Sequence, residues 1–402
     1  MTRVLRGPLV DRARWIVGRL LDTRVWRPSR MSLVWSQRPS ARARRTLGKS
    51  EQHCRAAAAW LARAQDATGD GGVASHYSLG EGWASSYPET TGYIIPTFLE
   101  LEKARQAPEW RDRAAAAVRF LLSIQLESGA FPAGEVRINR TAASVFNTAQ
   151  ILGGLVAWHR ATADSAALTA ARRAADWLVS IQDEDGAWRR QTYRQMLTTY
   201  TAYASCWVAE LGVYVHEPRY REAAERHVNW VMTHHDPATG WFDLTGFSER
   251  DHRERVAVTH TIGYVIDGLD RSGQLLGRAD VRKAARHAAR GVLECLERLG
   301  WLPGVLDHQW QARSKYACLT GNAQLAGMWL RLHAEDRDPR WRAGADRALQ
   351  LVRQAQMVRS AEPGLRGAIA GSDPVWGGYL YCCFPNWAPK FFIDASLAFE
   401  RA

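Results

Sequence analysis

The stretch Gln125-Leu126-Glu127-Ser128-Gly129-Ala130-Phe131 recurs as Gln182-Asp183-Glu184-Asp185-Gly186-Ala187-Trp188. Looser versions stand at Gln65-Asp66 with Gly71-Gly72 and at His235-Asp236 with Gly240-Trp241. In each, a helical pattern ends at the Gln or His, glycine supplies the left-handed turn that stops it, and the following apolar residue staples the loop back. Three of these helices also open alike, at Pro108-Glu109-Trp110-Arg111, Pro218-Arg219-Tyr220-Arg221 and Pro339-Arg340-Trp341-Arg342. Proline suits a first helical turn because its missing N–H has no partner there. The chain is therefore an internal repeat.

Working outward, the periodicity predicts six "A" helices near 50–66, 110–126, 166–183, 218–235, 279–299 and 339–358. Between them fall six "B" helices near 89–104, 147–159, 199–212, 260–276, 320–333 and 386–400. The B helices are apolar all round, as at Ile94-Ile95 with Phe98-Leu99, and the A helices keep a charged face. Helices apolar on every side are buried. Six buried helices ringed by six amphipathic ones define an all-α fold, an (α/α)6 toroid over residues 49–402, after a basic arm at 1–48. B-to-A connections run about five to seven residues and A-to-B connections roughly fourteen to twenty-seven. All the long loops emerge on the face that carries the B-helix N-termini, and a site belongs there.

Composition narrows the class. The charge of +12 is mostly local: residues 1–48 hold 12 Arg and 2 Asp, leaving about +2 for the rest. A nearly neutral body excludes a nucleic-acid groove as the origin of the basic balance. No run of eighteen apolar residues exists, which excludes a membrane-spanning helix. The six Cys show no framework spacing, so we expect reduced thiols and a cytoplasmic protein. In the arm, Arg12, Arg14 and Arg19 interrupt any secretory signal. Residues 9–30 read either as a helix in weak contact with an anionic membrane or as a helix packed outside the toroid.

The repeated Gln-xxx-Gly-x-Trp-like endings and the twelve-helix arithmetic resemble the α/α-toroid proteins over residues 50–400. One branch of that architecture is the squalene-cyclase and prenyltransferase group, whose repeats carry a similar motif. The other is the six-hairpin carbohydrate group of glycoside hydrolases, polysaccharide lyases and the helical domain of glucuronyl epimerases. The shared motif implies the fold and leaves the reaction open.

Polar residues recur in the first turns of the B helices, at spacings that share a face. They are Glu89 and Tyr93, Asn147 and Gln150, Tyr200 and Tyr203, His260 and Tyr264, Asn386 and Lys390, with Asn322 near Gln324. Any one pair could equally tie down a neighbouring loop. The preceding loops add His76, Tyr77, Trp83 and Tyr87, then Asn139, Arg140 and Phe146. Tyr193-Arg194, Trp241, Lys315, Tyr316, Trp376 and Tyr379 follow in the later loops. Aromatic faces mixed with amides and charges suit a sugar.

Several chemistries are excluded by missing residues. No Asp-x-Asp-Asp cluster serves a terpenoid cyclase, and no phosphate loop or nucleophile elbow is present. Cys295, Cys318, Cys382 and Cys383 have no metal-ligand spacing, so no metal and no cofactor are expected. A glycosidase needs two carboxylates, for which Glu89, Asp243, Asp307 and Asp373 are the axial candidates. A lyase or epimerase needs a base and a neutraliser for a uronate carboxylate.

We therefore expect an enzyme acting on a uronate-containing polysaccharide or lipid-linked saccharide, by elimination, epimerisation or hydrolysis, in polysaccharide biosynthesis. His260 would be the neutral base, held so by a helix N-terminus capped by Thr259, with Tyr264 as relay and Lys390 with Asn386 on the carboxylate. Glu89 and Asp373 form the alternative acid pair. A terpenoid-cyclase-like protein and a non-catalytic sugar-binding toroid stand as the alternatives.

Overall fold

The structure, a computed structural model, describes residues 48–136 and 141–402; residues 1–47 of the basic arm, including the segment 9–30, and Asn139 and Arg140 lie outside the described residues. All twelve expected helices are present. The outer ones are α1 (Ser50–Asp66), α3 (Glu109–Ile124), α5 (Ser165–Ser180), α7 (Pro218–Met232), α10 (Ala279–Leu299) and α12 (Pro339–Ala355). The inner ones are α2 (Pro88–Arg105), α4 (Val145–Thr162), α6 (Ala202–Tyr214), α9 (Thr259–Leu276), α11 (Leu319–Asp336) and α13 (Trp387–Arg401). A thirteenth, the short α8 (Glu249–Glu254), was not expected; Ser248 caps it by accepting from the Asp251 N–H.

The inner helices pack in a closed ring, α2 on α4, then α6, α9, α11, α13 and back to α2. Each outer helix packs on the inner helix before it, α1 closing the circle on α13. The fold is thus an (α/α)6 toroid, and the charged outer faces meet solvent while the inner helices are buried.

The repeated glutamines do what their spacing hinted. Gln125 Nε2 donates to Gly129 O at 2.9 Å and to Ala170 O on the next outer helix, also at 2.9 Å. Gln65 spans Gly71 O and Arg113 O, and Gln182 spans Gly186 O and Ala223 O. Gln356, in the last repeat, reaches Gly367 O and His53 O on α1, and so closes the ring. The glycine between is obligatory. Gly129 sits at φ +92°, and a Cβ there would collide with the Arg173 carbonyl; Gly186 meets Arg226 in the same way. Each repeat glycine thus serves as both turn and contact point.

Among the described residues, seven short strands collar the open face. β1 (His76–Ser78) pairs antiparallel with β2 (Gly82–Trp83) and with β7 (Cys383–Pro385), tying the first loop to the last. β3 (Val256–Val258) pairs with β4 (Val305–Asp307), and β5 (Ala317–Cys318) with β6 (Ser372–Asp373). Neighbouring loops are therefore stitched to each other, and the rim is a built surface.

Candidate active site

Glu89 lies in the first turn of α2, behind Pro88 at the first helical position. It is 9% exposed, and the Tyr87 hydroxyl donates to its Oε2 at 2.8 Å. Burial pushes the Glu89 pKa up to about 7, against the opposing pull of that hydrogen bond. Tyr87, Tyr93, Tyr200, Tyr264 and Tyr379 surround the axis. Burial is the main cause raising each of their pKa values, and the nearby Glu89 charge adds to it in all five. The tyrosines come from two inner helices and three loops or first turns, so the toroid gathers them around one carboxyl.

His260 and Tyr264 meet as expected, ring centroids 4.4 Å apart, with Phe391 and Tyr379 also against the imidazole. Burial holds the His260 pKa at about 3. Burial is the largest cause of the lowering, and the Gln324 hydrogen bond opposes it. The residue before α9 is Val258, which has no side chain to cap with, and Thr259 Oγ1 turns instead to Gly304 O. The side-chain amide of Gln324 lies 2.7 Å from His260 Nδ1 and 3.0 Å from the His260 carbonyl oxygen. That carbonyl can only accept, so the amide nitrogen faces it and also donates to Nδ1. The ring proton therefore sits on Nε2. In that orientation the imidazole offers a proton from Nε2 and holds its lone pair against Gln324.

Several first-turn residues spend one end of the side-chain amide on nearby backbone, while Asn322 Oδ1, Asn386 Oδ1 and Gln150 Nε2 are buried without a hydrogen bond. Asn147 Nδ2 donates to Pro132 O, Asn322 Nδ2 to Cys318 O, and Asn386 Nδ2 to Ala74 O and Thr90 Oγ1. Gln150 accepts from Trp207 Nε1 at 3.1 Å, and Tyr203 stacks on Tyr264 at 4.9 Å. Trp241 is buried against Trp310 in the fourth repeat turn. Tyr77 and Trp83 pack edge-on with each other, Trp83 also against Trp60 of the outer layer, and the Tyr77 hydroxyl bonds Glu362. These are scaffold contacts.

The expected acids separate. Asp243 pairs with Arg255 Nε at 2.8 Å, and Asp307 accepts the N–H groups of Gln309 and Gln311, so both are spent on loop structure. Asp373, half-buried on β6, follows Ser372, whose hydroxyl donates to Tyr379 O at 2.6 Å. Lys315 is exposed at the rim, Tyr316 packs against Gly304 and Gly378, and Trp376 is half-buried. Trp387 Nε1 donates to the Tyr379 hydroxyl at 3.0 Å.

The axial cations are already neutralised. Lys390 donates to Asp394 Oδ2 at 2.6 Å and lies over the rings of Tyr93 and Phe391. Arg271 and Arg331 both pair with buried Asp267. The Lys390 and Asn386 pair is thus committed elsewhere and does not stand ready for a carboxylate. Among the described residues, no group of three or more His, Cys, Asp or Glu is arranged to hold a metal ion. Cys318 caps α11, its thiol pushed up to about 12 by burial.

Sequence reasoning missed Gln324 as the partner of His260, although it had noted the residue. It also missed Glu135, which accepts from Ser75 Oγ at 2.6 Å and Ser85 Oγ at 2.9 Å. The Ser75 hydroxyl is spent on that carboxylate, so His76 Nδ1 donates to Ser75 Oγ, at 2.7 Å. No spacing marks these contacts, because they join separate loops.

The toroid and its axial acid define a carbohydrate-active protein of the six-hairpin class. Residues 48–294 match the family described as β-L-arabinofuranosidase, GH127 catalytic domain, and the chain belongs to that family. No curated protein matches the chain. Solved structures resemble it in fold at low identity. An unsaturated glucuronyl hydrolase from Bacillus sp. GL1 is 17% identical with a TM-score of 0.69, over 88% of this chain and 97% of that one. Cellobiose 2-epimerase from Bacillus thermoamylovorans is 12% identical with a TM-score of 0.67, over 85% and 95%. A polysaccharide lyase is 13% identical with a TM-score of 0.63, over 88% and 98%. Hydrolysis, epimerisation and elimination are thus all hosted by this architecture. Among the described residues, no helix is long and apolar enough to cross a membrane.

Proposed function

We propose that residues 49–402 form one glycoside-hydrolysing domain with Glu89 as its general acid. The observation that carries the reading is the buried Glu89 carboxyl, with its pKa near 7, inside a ring of tyrosines. A carboxyl in that state is still protonated in about half of the molecules at neutral pH and can give its proton to a leaving oxygen. Proton transfer to the glycosidic oxygen lets the C–O bond break, its electron pair leaving with the departing alcohol. Water then adds at the anomeric carbon and sheds a proton to a carboxylate, so that the acid is restored for the next turnover. Asp373, beside the Tyr379 loop, is the second carboxyl we assign.

Elimination fits the same residues less well. Burial keeps the axial tyrosines protonated, so no phenolate stands ready as a base, and His260 presents a proton at Nε2. With Lys390 held by Asp394, a neutral sugar suits the axis better than a uronate. The family points to an L-arabinofuranoside as the first substrate to try.

The test is hydrolysis of phenyl β-L-arabinofuranoside, alongside phenyl glycosides of other neutral pentoses and hexoses and an unsaturated glucuronide. The reading expects turnover of a neutral glycoside, lost in Glu89→Gln by a hundredfold or more. Turnover of the glucuronide alone, with Glu89→Gln active, would overturn it.

A further inference from the structure

Tyr193 is 49% exposed, the one exposed aromatic side chain among the described residues. From it a continuous series of rings descends to the axial site. Tyr193 meets Phe247 at 5.9 Å, Phe247 meets Tyr200 at 5.8 Å, Tyr200 meets Phe146 at 5.4 Å, and Phe146 meets Tyr264 at 5.0 Å. Its outer end is open to solvent and its inner end is not: Phe247 and Phe146 are half-buried, and Tyr200 and Tyr264 are 5% and 4% exposed. The series runs from solvent to the ring of hydroxyls around Glu89.

The segment that presents Tyr193 is held in an unusual shape. Gln191, Arg194 and Gln195 all have positive φ, at +59°, +54° and +57°. None is glycine, so each carries a backbone cost of order 1 kcal/mol. Such clusters persist where surrounding contacts impose them, here including the Val145 N–H bond to Gln191 O that ties the loop to α4. Arg194 lies over the Tyr193 ring at 5.2 Å, and the Phe247 backbone N–H is fixed by Asp251 Oδ2 at 3.1 Å. Both outer rings are therefore preorganised, and an exposed tyrosine on a strained loop gains nothing for the core.

We infer that Tyr193 and Phe247 form outer subsites that hold successive sugar units of an oligosaccharide reaching out from the axial site. This rests on the glycoside-hydrolase reading above and adds the substrate's length. Ring faces cover the apolar C–H faces of neutral sugars without demanding a particular hydroxyl pattern, and preorganised rings lose little entropy on binding. The enzyme then prefers an oligosaccharide to a single glycosyl unit on a small aglycone.

The experiment uses the full chain carrying Glu89→Gln, titrated by calorimetry with a β-L-arabinofuranosyl disaccharide and tetrasaccharide. The tetrasaccharide is expected to bind about tenfold more tightly, and adding Tyr193→Ala or Phe247→Ala should abolish that advantage. Tyr193→Ala, at an exposed position, keeps the test independent of folding, and melting temperature is recorded for both. Equal affinity for the two lengths in Glu89→Gln, or an advantage that survives both substitutions, overturns the subsites and leaves the axial acid standing. Length-dependent binding in a wild-type enzyme that hydrolyses neither sugar overturns the axial acid and leaves the subsites standing. No binding of either sugar overturns both.

Discussion

The Tyr87 hydroxyl and the Glu89 carboxylate are joined by a 2.8 Å hydrogen bond at the start of α2. The bond favours the ionised carboxylate while burial opposes it, and burial wins, leaving the pKa at about 7. The acid is therefore poised by two contributions that mutation can separate.

The first consequence is a pH dependence of stability. A carboxyl whose pKa rises from 4.5 to about 7 on folding stays protonated in the native state after the unfolded chain has ionised. Below the unfolded value there is no penalty; it grows between pH 4.5 and 7 and reaches about 3 kcal/mol above that. Glu89→Gln removes the titration. It should melt above wild type at pH 8, with the gap shrinking toward pH 5, in calorimetric scans across that range.

Tyr87→Phe removes the hydrogen bond that lowers the Glu89 pKa. The alkaline limb of kcat/KM, which reports loss of the acid's proton in the free enzyme, should move to higher pH. A limb that stays put would mean that another group sets it.

His260 should not titrate between pH 5 and 8, since its pKa lies near 3. Its ring ¹⁵N signals should be those of a neutral imidazole protonated at Nε2, and Gln324→Ala should free Nδ1 and alter that pattern.

Glycines at positive φ separate two costs, one of conformation and one of contact. Gly277 ends α9 at φ +72° with open space around a Cβ, so Gly277→Ala should cost about 1 kcal/mol. Gly129 adds the collision with Arg173, and Gly129→Ala should cost about 3 kcal/mol or more by denaturant unfolding.

The fold was legible because its signals are local. Gln125 and Gly129 stand four residues apart and write the same turn in several repeats, and Pro218 and Pro339 mark helix starts directly. The site was half legible for the opposite reason. Glu89 and Asn147 occupy like places on α2 and α4, yet one faces the axis and the other bonds Pro132 O fifteen residues back. Asn386 bonds Ala74 O from the other end of the chain. First-turn spacing puts residues on a common face, but only the paths of the long loops decide which ones those loops consume. The same holds for Lys390, whose partner Asp394 is local but whose burial over Tyr93 is not.

The measurement that tests the central claim most directly is the leaving-group dependence of Glu89→Gln on aryl glycosides of one sugar. A general acid matters most where the departing alcohol most needs a proton. The account predicts that Glu89→Gln loses a hundredfold or more on a poor leaving group such as methyl or phenyl. It should lose little on 2,4-dinitrophenyl, with a steeper dependence on aglycone pKa than wild type. An equal loss across all leaving groups would contradict it, because Glu89 would then serve binding or architecture and not proton donation.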